Sequence, residues 1–299
     1  MVLLCVAACS QNAELEKKVA DLQTELANTR KELDQRMDEI QTQTTQAKYL
    51  EKSLDALSRE VQSLKAQGLA RPTYTPPTAR REPDRSKTYS VPIAGLPSIG
   101  PADAKVTLVK NYEYACPYCE KNRDTIDQLH AKYGNDLRIV FKPFVVHPQN
   151  ATASSLAACA ADRQHKFLQM DRLLWEQGFK ARQFDTGGAA CLTSSTGCPI
   201  VEGFAKSLGL DVKKFRADMQ SCQQVLQESM RELQTLGIAA TPTFFINGRF
   251  MSGAMPIDSF TVLIDEELAK ANQRIQQGTS KSQYYDQWVL QNGQKSLDP

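Results

Sequence analysis

The chain has 299 residues, 41% of them apolar, which is enough for one or two domains with an ordinary core. Its formal charge of +2 is too small to indicate a nucleic-acid partner, and its basic residues do not gather into a patch with interleaved aromatic side chains. No apolar run approaches the roughly 20 residues that a membrane-spanning helix needs. All eleven Phe and both Trp lie beyond residue 90, so we expect the globular part to begin near residue 91.

The chain begins with MVLLCVAAC, a short apolar run that ends in small residues before Cys9. This ending resembles a bacterial lipoprotein box, in which the cysteine carries the lipid, although the usual positively charged segment is missing. We therefore expect residues 1–9 to be the remnant of an export signal and Cys9 to be lipidated. The protein would then be lipid-anchored on the periplasmic side of a bacterial cell envelope, where cysteines pair. The alternative is an accidental likeness in an apolar terminus.

A seven-residue apolar repeat with alternating spacings of three and four runs through residues 15–64, which contain no Gly or Pro. This pattern predicts a left-handed coiled coil within residues 12–67, and hence a homo-oligomer. The alternative is a single solvated helix that acts as a spacer. The two sets of repeat positions are Val19, Leu26, Leu33, Ile40, Ala47, Leu54 and Val61, and Leu15, Leu22, Thr29, Arg36, Gln43, Leu50, Leu57 and Leu64.

Residues 68–90 contain four prolines and no apolar period, so we expect a semi-rigid extended linker. The sequence beyond it predicts strands over 104–112 and 137–144, with a helix over 116–133 between them. A helical region from about 152 to 236 follows. Asn247-Gly248 between two β-rich segments indicates a hairpin, and a last helix is predicted over 258–277. Residues 281–299 are predicted to form a C-terminal tail.

The motif Cys-Pro-Tyr-Cys, residues 116–119, stands where the first strand ends and the first helix begins. Pro117 suits the first helical position because its missing N–H costs nothing there. The Cys116 sulfur would face free backbone N–H groups and the positive end of the helix dipole, both of which lower a thiol pKa. The motif therefore predicts a redox pair in which Cys116 attacks and Cys119 resolves. Half of a zinc site and an inert disulfide are the alternatives.

Three segments, VTLVKNYEYACPYC, FKPFVVHP and TPTFFINGR, occur in an order that resembles the DsbA-like thiol:disulfide oxidoreductases of the thioredoxin superfamily. The resemblance implies an α/β chain, a thioredoxin fold with a helical insertion, over about residues 91–280. It also implies that Thr241-Pro242 is cis and lies against the cysteine pair. A substrate polypeptide would then contact Pro117, Tyr118, Thr241 and Pro242.

The same resemblance bears on the other cysteines. Cys159 and Cys222 resemble the positions of a second, structural disulfide in some DsbA-like proteins, and two buried free thiols are the alternative. Cys191 and Cys198 flank a short polar loop, and we expect them to pair locally.

One departure from the family pattern concerns proton transfer. Many relatives have a buried acid six residues before the first cysteine, where this chain has Lys110. A cation near the site favours a thiolate and hinders a base role. Glu113 is the nearest acid in sequence, but the sequence does not show that it substitutes.

Together these features predict an exported, membrane-tethered thiol:disulfide oxidoreductase. It would act on thiols and disulfides of exported polypeptides, need no metal or other cofactor, and exchange electrons with a membrane redox partner. Because a coil would hold several active sites together, an oligomeric disulfide isomerase or reductase is one alternative. The alternative from another class is a non-catalytic envelope spacer or binding protein with a thioredoxin shell.

Overall fold

The computed structural model describes residues 18–19, 21–30, 33, 36–37, 44, 51, 55, 58–59, 82–184, 190–193 and 197–297. The chain divides into two compact units, Met1–Thr78 and Ala79–Pro299. The predicted lipidation site Cys9 and residues 68–81 of the predicted linker lie outside the described residues. Within the described part of the chain, no helix combines the length and the apolar character of a membrane span.

The described residues of the first unit are helical and exposed. Four apolar repeat positions, Val19, Leu22, Leu26 and Leu33, are between 50% and 70% exposed. A helix therefore forms at these positions as the heptad pattern predicts, and its association with other helices stays a prediction.

The second unit is built on a five-stranded sheet with the order β1-β3-β2-β4-β5. Strands β2 and β3 are parallel, and all other neighbours in the sheet are antiparallel. The strands are β1 (Ser98–Ile99), β2 (Val106–Tyr112), β3 (Leu137–Pro143), β4 (Thr243–Ile246) and β5 (Arg249–Ser252).

The helices follow the order that the sequence predicts. Two helices, α1 (Pro117–Lys121) and α2 (Arg123–Tyr133), lie between β2 and β3 and meet at Asn122, where the sequence predicted one continuous helix. Among the described residues of the insertion there are four α-helices, and α7 (Ile257–Gln276) follows the hairpin. The insertion helices are α3 (Pro148–Asp162), α4 (Phe167–Leu173), α5 (Pro199–Ser207) and α6 (Val212–Thr235).

Strand β2 lies at the centre of the sheet and is buried along its whole length. Side chains on one face, such as Leu108, pack in a core with α2, α7 and the insertion. On the other face, Val109 packs in a second core that the end of α6 completes with Leu233. This central position fixes the end of β2, and therefore the loop that leads to Cys116.

The segments that flank the predicted domain also belong to this folded unit. Tyr89, which the composition assigns to the linker, is 1% exposed and packs against the second core. The N–H of Ser90 donates to the carbonyl of Gln294, and the hydroxyl of Tyr285 donates to the carbonyl of Val91. The last segment of the chain therefore covers the sheet beside residues 88–91, where the sequence suggested only a tail.

Candidate active site

Cys116 occupies the N-cap of α1, directly after the loop that leaves β2. Its backbone is extended, with φ −94° and ψ 115°, and Pro117 takes the first helical turn. The Cys116 sulfur accepts a hydrogen bond from the backbone N–H of Cys119, with 3.3 Å between nitrogen and sulfur. The sulfur thus satisfies one of the free N–H groups at the helix start, as a capping side chain does.

The two sulfurs of the pair differ in their acidity. The pKa of Cys116 is lowered to about 6, first by the hydrogen bond from the Cys119 thiol and further by backbone N–H groups. The pKa of Cys119 is raised, first by burial, because its side chain has no exposed surface. At neutral pH, Cys116 is therefore a thiolate and Cys119 a thiol, which is the asymmetry expected of an attacking and a resolving cysteine.

The loop before β4 lies against this pair. The Thr241-Pro242 peptide bond is cis, as the resemblance implies, and the Cys116 sulfur lies 3.3 Å from the carbonyl oxygen of Thr241, to which it donates a hydrogen bond in its protonated form. Thr243, which begins β4, is held against β2 because its hydroxyl accepts from the side-chain amide of Asn111. The sheet register therefore brings residue 241 to the start of α1.

The outer side of the motif faces solvent. Tyr118 is 61% exposed and Pro117 is also exposed, whereas Pro242 is buried. The structure thus gathers the predicted residues Pro117, Tyr118, Thr241 and Pro242 around the Cys116 sulfur. An extended polypeptide could lie across this surface.

The other described cysteines form two disulfides away from the redox pair. Cys159 of α3 is bonded to Cys222 of α6, with 6.1 Å between the Cα atoms. Cys191 is bonded to Cys198 at the start of α5, with 4.8 Å between the Cα atoms. These are the pairings expected from the sequence, and only Cys116 and Cys119 are free among the described cysteines. No group of three or more His, Cys, Asp or Glu side chains is arranged as a metal site within the described ranges.

Glu113 is buried close to the motif in sequence, but its carboxylate is used elsewhere. One oxygen accepts from the backbone N–H groups of Val146 and His147, at 2.6 and 2.8 Å. The other contacts the ring Nδ1 of His147. Glu113 therefore anchors the segment before α3, and its carboxylate shows no contact with Cys119.

Sequence reasoning missed a polar layer beneath the site. The hydroxyl of Tyr114 donates to Asp171 of the insertion at 2.7 Å and lies 3.2 Å from the hydroxyl of Tyr112. Lys110, on the same face of β2 as Tyr112, is only 3% exposed. Period-two alternation along β2 could have placed Lys110 with Tyr112, but the sequence gives no sign that Asp171 joins them.

Comparison with known proteins identifies the family. A family model described as Thioredoxin matches residues 94–266, more than half of the chain. The Na(+)/H(+) antiporter NhaA of Herminiimonas arsenicoxydans is 31% identical over 169 residues, which are 56% of this chain and 24% of the antiporter. The chain thus spans about a quarter of the length of the curated relatives it matches.

A solved structure shows the same fold, and a second one is reported as a match. BdbD from Bacillus subtilis, in its oxidised form, matches with a TM-score of 0.51 and 19% identity, over 63% of this chain and 100% of that chain. The catalytic domain of Proteus mirabilis ScsC matches with a TM-score of 0.46 and 23% identity, over 59% and 90% of the two chains. The chain belongs to the thioredoxin family, and its architecture is the one that the three motifs predict, a thioredoxin fold with a helical insertion.

Proposed function

We propose that the chain is an exported, membrane-tethered thiol:disulfide oxidoreductase that forms or exchanges disulfides in exported polypeptides through Cys116 and Cys119. The observation that carries this proposal is the asymmetry of the pair. Cys116 has a pKa of about 6 and lies against Thr241, while Cys119 is a buried thiol three residues away. Thiolates, not thiols, attack disulfides, so Cys116 is ready to react at neutral pH. Membership of the thioredoxin family supports the same chemistry.

The exchange runs in two steps. The Cys116 thiolate attacks a substrate disulfide, which gives a mixed disulfide and a substrate thiolate. Cys119 then attacks the Cys116 sulfur, which releases the second substrate sulfur and closes the Cys116–Cys119 disulfide. In the opposite direction, a substrate thiolate attacks that disulfide, and the substrate leaves oxidised while the pair is reduced.

The surface around Cys116 would hold the substrate. The exposed ring of Tyr118 and the exposed ring of Pro117 offer apolar contact, and the main chain at Thr241 offers hydrogen-bonding groups beside the reacting sulfur. Main-chain contacts of this kind accept many sequences, because every polypeptide carries the same backbone groups. We therefore infer a broad specificity for extended polypeptides that contain cysteine.

A trapping experiment tests this function. Cys119→Ser removes the resolving thiol, so a peptide with one disulfide should remain attached to Cys116 and be visible as a mixed disulfide by mass spectrometry. Cys116→Ser is the matched control and should trap nothing, because the buried Cys119 is protonated. Equal trapping by both variants, or by neither, would contradict the proposal.

The N-terminal unit would anchor the active site at a membrane and hold several copies of it together. We infer that Cys9 carries a lipid and that a membrane redox partner returns the cysteine pair to its starting redox state.

The exposed apolar positions Leu22 and Leu26 favour self-association, because a lone helix would leave them in water. Leu22→Lys with Leu26→Lys should lower the mass seen by sedimentation to that of one chain, whereas lysines at the neighbouring polar positions Thr24 and Asn28 should not.

The exposed apolar stripe also favours a second activity, disulfide isomerisation. Several sites held together can engage one misfolded chain at more than one sulfur. An isomerase should refold ribonuclease with scrambled disulfides, and the Leu22→Lys, Leu26→Lys variant should lose that activity while it still reduces insulin. If the chain is instead a non-catalytic spacer or binding protein, Cys116→Ser should leave its function intact.

A further inference from the structure

The disulfide between Cys191 and Cys198 shares a feature with the redox pair. Cys198 occupies the N-cap of α5, and Pro199 stands in its first turn. Cys116 and Pro117 have the same places in α1. A helix start stabilises a negative charge, because its first N–H groups have no partner within the helix and the helix dipole is positive there. If the disulfide were opened, Cys198 would leave as a stabilised thiolate, which is a good leaving group.

This disulfide borders a cavity of about 200 Å³ between the start of α5 and α6. Arg216, Gln220 and Gln223 of α6 line the cavity and are exposed, so it opens at the surface. A closed cavity of roughly 150 Å³ can hold a molecule the size of benzene, so this one has room for a thiol of amino-acid size. Cys191 is partly exposed and Cys198 is buried, so such a thiol would reach the Cys191 sulfur first.

The other described disulfide has different surroundings. Cys159 and Cys222 lie within α3 and α6, away from the helix starts, and Cys222 has no exposed surface. The cavity that Cys159 lines has a volume of about 20 Å³, which is room for about one water. Of these two disulfides, the one between Cys191 and Cys198 therefore has the space beside it for a second reactant.

Two opposite charges lie beside the larger cavity. Glu202 accepts from the backbone N–H of Cys198 at 3.0 Å and forms an ion pair with Arg216. Because Arg216 neutralises this carboxylate, Glu202 does not oppose a thiolate at Cys198. A guanidinium has five N–H donors, and the bond to Glu202 uses one of them in the part of the chain that the structure describes. Arg216 can therefore also bind the carboxylate of a small thiol.

We propose that Cys191 and Cys198 form a second thiol–disulfide exchange site, one that reacts with small thiols that carry a carboxylate. The small thiolate attacks the Cys191 sulfur, which breaks the protein disulfide and leaves Cys198 as a thiolate. A second small thiolate then attacks the sulfur of the first, which releases a small disulfide and leaves Cys191 reduced. Two electrons pass from two small thiols to the protein disulfide, and the thiol protons go to solvent or to the cysteines.

The same steps in reverse reoxidise the pair, with the small disulfide as the oxidant. The ratio of Cys191–Cys198 disulfide to dithiol would therefore follow the ratio of small disulfides to thiols around the protein. This role adds to the structural one and uses neither Cys116 nor Cys119.

The domain should stay folded when this bond opens. Its cysteines have a sequence separation of 7, whereas those of the other disulfide have one of 63, so its loss frees the unfolded chain the less. Val201 and Phe204 of α5 are buried in the main core, where they continue to hold the helix. The site can therefore change between its oxidised and reduced states in the folded protein.

The experiment uses the oxidised full-length protein with Cys116→Ser and Cys119→Ser, so its result does not depend on the proposed function. Cysteine is added at neutral pH, free thiols are alkylated after set times, and mass spectrometry follows each peptide. The bond between Cys191 and Cys198 should open about tenfold faster than the other described disulfide, which is the internal control. The cysteine adduct should appear on Cys191. Equal rates for both disulfides, or opening only in urea, would overturn the proposal.

Two single variants test the leaving group. Cys191→Ser leaves a thiol at Cys198, and Cys198→Ser leaves one at Cys191. The midpoint of the pH profile of alkylation by iodoacetamide should be about one unit lower for the Cys198 thiol, because Cys198 lies at the helix start. Equal midpoints, or a lower one for the Cys191 thiol, would contradict the proposed direction of attack.

Arg216→Gln tests the class of thiol. It should slow opening by cysteine about two- to fivefold more than opening by 2-mercaptoethanol, which has no carboxylate for the guanidinium to bind. An equal effect on both thiols would refute the assignment to carboxylate-bearing thiols. Far-UV circular dichroism checks the folded state, and a loss of helix when the bond between Cys191 and Cys198 opens would show that this disulfide is structural only.

Discussion

The sulfur of Cys116 and the carbonyl oxygen of Thr241 lie 3.3 Å apart, although 125 positions separate the two residues in sequence. The contact exists because β2 and β4 are neighbours in the sheet, with Asn111 opposite Thr243. Strand β2 therefore leads to the Cys116 sulfur, and the loop before β4 places the Thr241 main chain beside it. This pairing explains how a reactive thiolate can be presented to a polypeptide that lies along the Thr241 backbone.

The first prediction concerns the hydrogen bond between the two sulfurs. Cys119→Ala removes the thiol that most lowers the pKa of Cys116, so this pKa should rise from about 6 toward that of an ordinary thiol. The rate of Cys116 alkylation by iodoacetamide as a function of pH measures it directly. Cys119→Ser, which keeps a hydroxyl donor, should give a smaller rise. An unchanged profile in the alanine variant would show that the helix start alone activates Cys116.

The second prediction concerns the stability of the reduced form as pH changes. The pKa of Cys116 is about 6 in the folded protein and 9.0 for a free thiol, so between these values the unfolded chain binds more protons. The free energy of unfolding of the reduced protein should therefore rise from pH 6 toward pH 9 and lose this contribution below pH 6. The oxidised protein lacks the titrating thiol and serves as the control. Urea unfolding of both forms at pH 5 and pH 8 measures the difference, and the opposite slope would contradict it.

The third prediction separates the two structural disulfides. The Cys159–Cys222 bond closes a loop with a sequence separation of 63, and the Cys191–Cys198 bond one of only 7. On the chain-entropy model, Cys159→Ala with Cys222→Ala should lower the free energy of unfolding by about 4 kcal/mol, and the short loop should contribute about 2.5 kcal/mol.

The matched double variant Cys191→Ala, Cys198→Ala measures the smaller effect, in the same urea unfolding experiment. Both double variants should keep the pKa of Cys116 near 6, since both disulfides join parts of the insertion and the groups that lower this pKa lie in α1 and at Thr241. A larger loss from the short loop would show that the local structure, not the closed loop, determines the effect.

The hairpin shows how much of the fold the sequence specifies. Asn247 and Gly248 have positive φ angles of 43° and 81°, as a tight two-residue turn requires. The Asn247 side chain also accepts from the backbone N–H of Thr107, which ties the turn to β2. The residue pair Asn247-Gly248 predicts the turn by itself, whereas the contact with β2 depends on strands that are far apart in sequence.

The candidate site divides in the same way. The position of Cys116 at a helix start follows from the order strand, Cys, Pro, helix, which is local. The burial of Lys110 and the approach of Asp171 depend on how the insertion packs on the sheet, and no pattern in either segment indicates it. The same is true of Tyr89, whose burial depends on the last residues of the chain.

The fourth prediction concerns Glu113, the buried acid nearest the motif. Glu113→Ala would leave the backbone N–H groups of Val146 and His147 without their charged acceptor, and a hydrogen bond to a charged group contributes about 1.5–3 kcal/mol. The free energy of unfolding should therefore fall by about 3 kcal/mol, measured by urea unfolding of the oxidised protein. Glu113→Gln retains one acceptor oxygen and should lose less. Because the carboxylate does not contact Cys119, neither variant should slow the resolving step, measured as the release of the second thiolate from an aromatic disulfide reagent. A slow resolving step in Glu113→Gln at unchanged stability would contradict this prediction and show that the carboxylate takes part in the exchange.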